Sequence, residues 1–400
     1  MGRVKEEWME VEERGWVAPD KYVCIDCVGD KFLASVVKAN LSYHTCSYCG
    51  QSSSVQIAAK VECIMPYVAG AFFQYYSEPS AAGLPRDSGE WVCEESITDT
   101  MDAMLSFGWD CNDELFEDVC DAFINDAWIK CADGWWLGIH EHERRRYAWE
   151  HFVYNTKHKT RYFFHNKGDK QEWESYEPIT LLTIIGSDIE KFDLLKELNE
   201  GDIIYRARTC KEDDNFNSLE ELGPPPEDYA SAGRMNPAGI SYGYFALSKG
   251  TAILEIVASP PEILFVGEFR LKSNLLAVDL TSLSDLPSIF DIDRKQDRHA
   301  LMFLRSFVAS ITKPVIKDGR EHVDYVPTQI VSEYIAQMLT IHDGRRVDAI
   351  LYPSAVNPGG TNIVLFPPRE VLEKWENIIE LINTEKLEFN TWRDFRLYIK

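Results

Sequence analysis

Four cysteines near the start of the chain have the spacing of a metal clip. "CIDC" at 24–27 and "CSYC" at 46–49 are two CxxC pairs with eighteen residues between them. Each pair offers two thiolates from one tight turn. Cys24, Cys27, Cys46 and Cys49 together complete a tetrahedron suited to zinc, as in a zinc ribbon or treble clef. Four thiolates leave no open coordination position, so the expected ion is structural. Such binding supplies about 10–16 kcal/mol in small zinc domains. A second concentration of chemistry lies in "GRMNPAGISYGYFALSKGTAILEI" at 233–256, which gathers Arg234, Asn236, Gly239, Tyr242, Gly243, Tyr244 and Glu255. These groups suit a polar ligand. A guanidinium fork matches carboxylate or phosphate oxygens, and glycines let a ligand approach the backbone closely.

The elements that must position these residues differ between the two halves of the chain. Nine of the ten cysteines precede residue 132, and nine of the eleven tryptophans precede residue 175. The composition therefore changes between about 160 and 200, with "GDKQEWESYEP" as the connecting segment. In the first half, "SSVQIAAKVEC" reads as a strand. "SITDTMDAMLSFG" reads as a helix with Ser96 and Asp99 in capping positions, and Leu115, Phe116, Val119, Cys120 and Phe123 form a second helical stripe. After the junction, "GSDIEKFDLLKEL" reads as a helix opening on a Ser187–Glu190 capping box. "DIIYRART", "EILFVGEFRL", "LLAVDL", "VDAILYP" and "TNIVLF" read as strands; "PTQIVSEYIAQML" and "PREVLEKWENIIELI" read as helices. The expected fold class is α+β: a mostly helical N-terminal region with a zinc ribbon, then a mixed-sheet domain. The expected domains are 1–60, a zinc-ribbon-like segment; 61–185, a helical domain; and 186–400, the mixed-sheet domain.

The chain has 400 residues, 45% of them hydrophobic, and a net charge of −24. That balance counts against broad electrostatic binding to nucleic acid or to an anionic membrane. The start, "MGRVKEEWMEVEERGW", lacks the apolar core of a signal peptide, and runs such as "ITLLTIIG" are too short to cross a bilayer. A cytoplasmic protein is expected.

Four separated pieces, "IIYRAR" at 203–208, the 233–256 stretch, "YVPTQIVSEYI" at 325–335 and "ILYPSAVNPGGTNIVLF" at 350–366, occur in an order that resembles the RES domain. The family is named for an Arg, a Glu and a Ser, which here correspond to Arg206, Glu255 and Ser354. The similarity spans roughly residues 203 to 385, and the first half resembles the HEPN-like region that precedes some RES domains. The resemblance implies a relative of ADP-ribosyltransferases that consumes NAD by cleaving the nicotinamide–ribose bond, passing ADP-ribose to water, phosphate or a protein. It also implies a bacterial toxin or antiphage effector, an antitoxin or regulatory partner, and a homo-oligomer, with NAD as substrate and no separate organic cofactor.

The residue chemistry fits that implication. Nicotinamide leaves as a neutral molecule, so positive charge develops on the ribose, as in glycoside hydrolysis. Arg206 and Arg234 suit a pyrophosphate. Tyr242 and Tyr244 suit stacking on a ring. Glu255 suits the oxocarbenium-like carbon or a ribose hydroxyl, and Ser354 suits the ribose or an attacking phosphate. Asn236 is expected to shape the loop. Gln329 and Glu333, one helical turn apart, are expected to support the site from one side of a helix. A rival lies in "EHERRRYAWEHF" at 141–152, where Arg146 and His151 fit the Arg-x4-His pattern of HEPN ribonucleases, with His140 and His142 nearby. A third reading is a RES fold that binds NAD or a protein without catalysis.

Overall fold

The computed structural model describes residues 2–162, 176–257, 259–313, 319–369, 374–391, 394–395 and 398. The protein is α+β and divides into two compact units: residues 1–144 with 285–302, and residues 145–284 with 303–400. The expected connecting segment "GDKQEWESYEP" lies, up to residue 175, outside the described residues.

The first unit is built around one apolar core. Helices Lys31–Ala39, Met65–Tyr75, Thr100–Leu105 and Asp113–Asp121 start where the sequence supplies a cap or a proline. The Asp30, Asp99 and Asn112 side chains each accept from backbone N–H groups of the first turn. Asp99 is the cap of the third helix, while Ser96 lies in a preceding 3-10 turn. Leu115, Val119 and Cys120 are buried, as the helical stripe predicts, and join Val68, Phe72, Phe123 and Trp128. Phe290, from the 285–302 segment, is 1% exposed and sits in this core against Phe107 and Trp109. From the same segment, buried His299 meets Tyr75 and His142. The Tyr75 Oη–His299 Nε2 distance is 3.2 Å and the His142 Nδ1–His299 Nδ1 distance 3.4 Å. The His140 ring stands 4.5 Å from that of Tyr75.

The second unit centres on an eight-stranded sheet. In chain order its strands are β1 (Leu195–Leu198), β2 (Ile203–Thr209), β3 (Gly243–Ala246), β4 (Glu262–Leu271), β5 (Leu275–Asp279), β6 (Ala349–Pro353), β7 (Thr361–Leu365) and β8 (Ile379–Phe389). The spatial order is β8-β4-β2-β3-β7-β6-β5-β1. All neighbours are antiparallel except β5 and β6. Phe245, Phe265, Phe269, Leu351 and Ile363 belong to one core cluster, and Ala207, Ala246, Leu264 and Val266 to another. The helices used below are α1 (Glu141–His158), α2 (Pro178–Lys191), α3 (Lys249–Ile256), α4 (Lys295–Thr312) and α5 (Val326–Gln337).

Two sequence expectations are corrected. The helix expected from Ser187 begins earlier, with Pro178 in its first turn, so Ser187 lies in its interior. It ends at Lys191 because Asp193 turns left-handed (φ 52°). Leu194 N–H then donates to Ile189 O and Asp193 N–H to Glu190 O, the hydrogen-bond pair of a Schellman C-cap. The residues after it form β1 rather than more helix. The helix expected in "PREVLEKWENIIELI" shrinks, among the described residues, to one turn at Trp375–Ile378, and Ile379 onward pairs with β4 as β8. Pairing along β4 from Glu262 to Leu271, around one bulge, overrides the local helical pattern.

Candidate functional site

A fork in the sheet makes the site. Strands β2 and β3 are neighbours but share a single pair, Ala246 with Tyr205. Beyond that pair they part, and a cavity of about 420 Å³ opens. Arg206 and Arg208 line it from β2, Tyr244 and Phe245 from β3, Glu255 from α3, and Tyr352 and Asn362 from β6 and β7. Polar groups converging on one concavity are what a small-ligand site requires.

Arg206 is the most unusual of these groups. Its Nη1 is shut off from solvent and has no hydrogen-bond partner among the described residues, and its guanidinium lies 6.0 Å from the Phe245 ring centroid. Burial, and then the neighbouring Arg208, lower it to about 10, so it remains charged at neutral pH. A half-buried cation with no ion-pair partner among the described residues is costly to the fold and is an opening for an anion. Arg208, at the rim, donates to Glu221 O at 2.5 Å.

Glu255 sits one residue before the end of α3, a helix whose Ser248 cap accepts from Thr251 N–H. Its Oε1 accepts two hydrogen bonds, from Ser354 Oγ at 2.7 Å and from Asn362 Nδ2 at 2.6 Å. Ser354 in turn accepts from the backbone N–H groups of Val356 and Asn357, 3.3 and 3.1 Å away, in the turn that leaves β6. Its hydroxyl proton is therefore committed to Glu255. Gly359, at φ 83°, supplies the left-handed step that lets this turn close onto Gly360.

The remaining residues singled out from the sequence do other things in this structure. Asn236 is buried; its amide donates to Ser231 O, Pro237 O and Ile240 O, and it accepts from Tyr244 Oη at 2.8 Å. Tyr244 thus presents its ring to the cavity while its hydroxyl ties the 233–240 loop. Gln329, on α5, donates to Gly233 O and Asn236 O at 2.8 and 2.9 Å, pinning the same loop. A Cβ at Gly233 would stand 2.5 Å from Asn236 Oδ1, so only glycine fits that knot. Arg234 points to the end of α4, donating to Ile311 O and Lys313 O at 2.8 Å each, and it does not line the cavity. Tyr242 is buried against Phe366, and that burial pushes its hydroxyl up to about 12. Arg146 and His151 are both exposed on α1, and five residues of helix place them about 140° apart around its axis. The preceding residue, Arg145, makes a buried 2.7 Å ion pair with Asp188.

The four cysteines of the first unit do come together. All four sulfurs lie within 4.8 Å of one another, with Cys24–Cys49 at 3.7 Å and Cys46–Cys27 at 3.8 Å. A regular tetrahedron with Zn–S bonds of about 2.3 Å has sulfur–sulfur edges of about 3.8 Å, so the group can hold zinc. Burial pushes the Cys46 thiol up, but backbone donors from Cys49, Tyr48 and Cys24 outweigh it and hold it at about 7. That favours the thiolate a metal needs.

The geometry agrees with the comparison to known families. The family model described as the RES domain matches residues 203–383, which include Arg206, Glu255 and Ser354. The C-terminal part of this chain is a RES domain. Ahead of it, the model described as HEPN/RES N-terminal domain 1 matches residues 39–170. No curated protein matches the chain. The RES match contains the whole cavity lining, and it also contains the 285–302 segment that packs in the first unit. Asn362, Tyr352 and Arg208 were missed from the sequence. For Arg208 the signal was present, since it stands two residues from Arg206 on one strand and so on the same side.

Proposed function

We propose that this RES domain destroys NAD by breaking the bond between nicotinamide and ribose. The observation that carries the reading is the presence, in one cavity, of an Arg206 guanidinium whose enclosed Nη1 has no hydrogen-bond partner among the described residues, and of a Glu255 carboxylate held by Ser354 and Asn362. A dinucleotide has the complementary charges: an anionic pyrophosphate for Arg206 with Arg208 beside it, and a ribose that becomes positive as nicotinamide departs. In that step the C–N bond breaks and its electron pair moves to the pyridinium nitrogen, which leaves neutral. Glu255 stabilises the developing cation at the ribose carbon. Water or phosphate then adds to that carbon, and water loses a proton in doing so. The Tyr244 ring offers a flat wall for a base. Arg234, Asn236 and Gln329 serve the site by holding the loop to which the Tyr244 hydroxyl is tied, and Tyr242 packs against Phe366.

The wider reading follows from this core. NAD is the substrate, zinc in the four-cysteine site is structural, and the N-terminal region restrains the enzyme or answers a trigger. The protein acts in the cytoplasm as a toxin or defence effector, as a homo-oligomer under the control of a partner. The deciding experiment incubates the whole protein with NAD, with and without phosphate, and weighs the products. Nicotinamide with ADP-ribose means hydrolysis, and nicotinamide with phosphorylated ADP-ribose means phosphorolysis. Untouched NAD beside cleaved RNA, abolished by His151→Ala, transfers the activity to the HEPN pattern on α1.

A further inference from the structure

We infer that Asn362 is a positioning residue for Glu255: its amide and the Ser354 hydroxyl together fix Oε1, so that Oε2 is the oxygen offered to the bound ligand. The inference rests on reading the fork cavity as the NAD site.

Three observations carry it. The first is the direction of the bonds. An ionised carboxylate only accepts, so the Ser354 O–H and the Asn362 N–H must both point at Oε1, from 2.7 and 2.6 Å. Among the described residues Oε2 has no such partner. The second is rigidity. Asn362 is 6% exposed, and its strand is held on both sides, against Ala246 of β3 and Tyr352 of β6. Glu255 is by contrast an exposed side chain near the end of a short helix, and without donors it would turn among many rotamers. The third is a matching tether one helical turn earlier. Thr251 shares a face of α3 with Glu255, and its Oγ1 accepts from Asn357 Nδ2 at 2.9 Å and lies 2.8 Å from Ser248 Oγ. The 354–362 segment therefore grips α3 at two points, on the helix through Asn357 and on the carboxylate through Ser354 and Asn362. The amide is the required chemistry at 362, because an aspartate of the same shape would set oxygen against oxygen.

The test is a double-mutant cycle on the full chain. NAD turnover is measured for wild type, Asn362→Ala, Glu255→Gln and the double variant, with Asn362→Asp as the variant of unchanged shape. Asn362→Ala should lower kcat about tenfold while KM stays within about twofold, and Asn362→Asp should fall at least as far. In the Glu255→Gln background, Asn362→Ala should change the residual rate by less than about twofold, because its effect passes through the carboxylate. A wild-type kcat in both Asn362 variants overturns the inference. So does an undiminished loss in the Glu255→Gln background, which would mark a purely structural role. If wild type consumes no NAD, the reading of the cavity fails, and urea midpoints of the same four proteins decide the contact. Additive midpoints then overturn it, and non-additive ones sustain it.

Discussion

At the scale of single residues, the proposed function sets stability against binding at Arg206. Arg206 has no ion-pair partner among the described residues, so removing its cation should relieve the fold while disabling the proposed ligand site. Arg206→Met is expected to hold or raise Tm by a few degrees and to cut NAD loss by on the order of 10²-fold or more. Calorimetry and a nicotinamide-release assay on the same sample check both halves. Glu255→Gln keeps shape and loses charge. NAD loss should slow by about 10²–10³-fold with little change in NAD affinity, and an equal rate would remove Glu255 from the chemistry. Arg206, Glu255 and Ser354 were legible because their flanking motifs occur in a fixed order. Asn362 was not. A lone asparagine near the start of a strand carries no local signature, and only the fold shows that its amide meets a carboxylate 107 positions away. Arg234 shows the converse. Its type and neighbours suggested phosphate, but the end of α4 offers two carbonyls within its reach.

At the scale of elements, the four-cysteine knuckles and the histidine cluster make separate predictions. The first knuckle docks through Gly29, where φ is 68° and a Cβ would stand 1.7 Å from Asp110 O. Gly29→Ala should therefore cost several kcal/mol and weaken zinc retention, as read by chelator competition with a colorimetric zinc indicator. The histidine cluster responds to acid. Burial lowers His140 to about 4, against the pull of Glu143, and burial with the neighbouring His142 lowers His299 to about 3, from an ordinary 6.5. Facing them are His142, Tyr75, Glu143, Asp133, Lys295 and Arg298. Because the unfolded chain takes up these protons first, stability from this cluster is full above about pH 6.5. It is lost as pH falls through about 4 to 3. Thermal melts across that range should steepen with acid in wild type and flatten in His299→Gln. The strands of the sheet were legible from runs rich in β-branched and aromatic residues between turns. The misread elements failed for identifiable reasons. A Schellman cap built on aspartate gives no glycine signal, and β8 is a strand because β4 pairs with it, not because its own residues demand it.

At the scale of the whole molecule, the chain is not divided where its composition changes. The first unit holds residues 285–302, which fall within the RES match, and Phe290 from that segment closes an aromatic core with Phe107 and Trp109. A fragment cut at 186 carries Phe290 without that core. It should be less soluble than the full chain, and a fragment ending at 185 should melt at lower temperature than the same unit in the full chain. Sedimentation and melting of the three proteins test this. Among the described residues no helix is long and apolar enough to cross a membrane.

The same segment sets an order of events on the ribosome. The first unit is synthesised early, yet its last core aromatic emerges only after the cavity-lining strands β2 and β3 and helix α3 have been made. Until then the Phe107–Trp109 surface lacks its cover. The nascent protein must hold an unfinished first unit while most of the eight-stranded sheet is being translated, so neither unit can mature wholly ahead of the other.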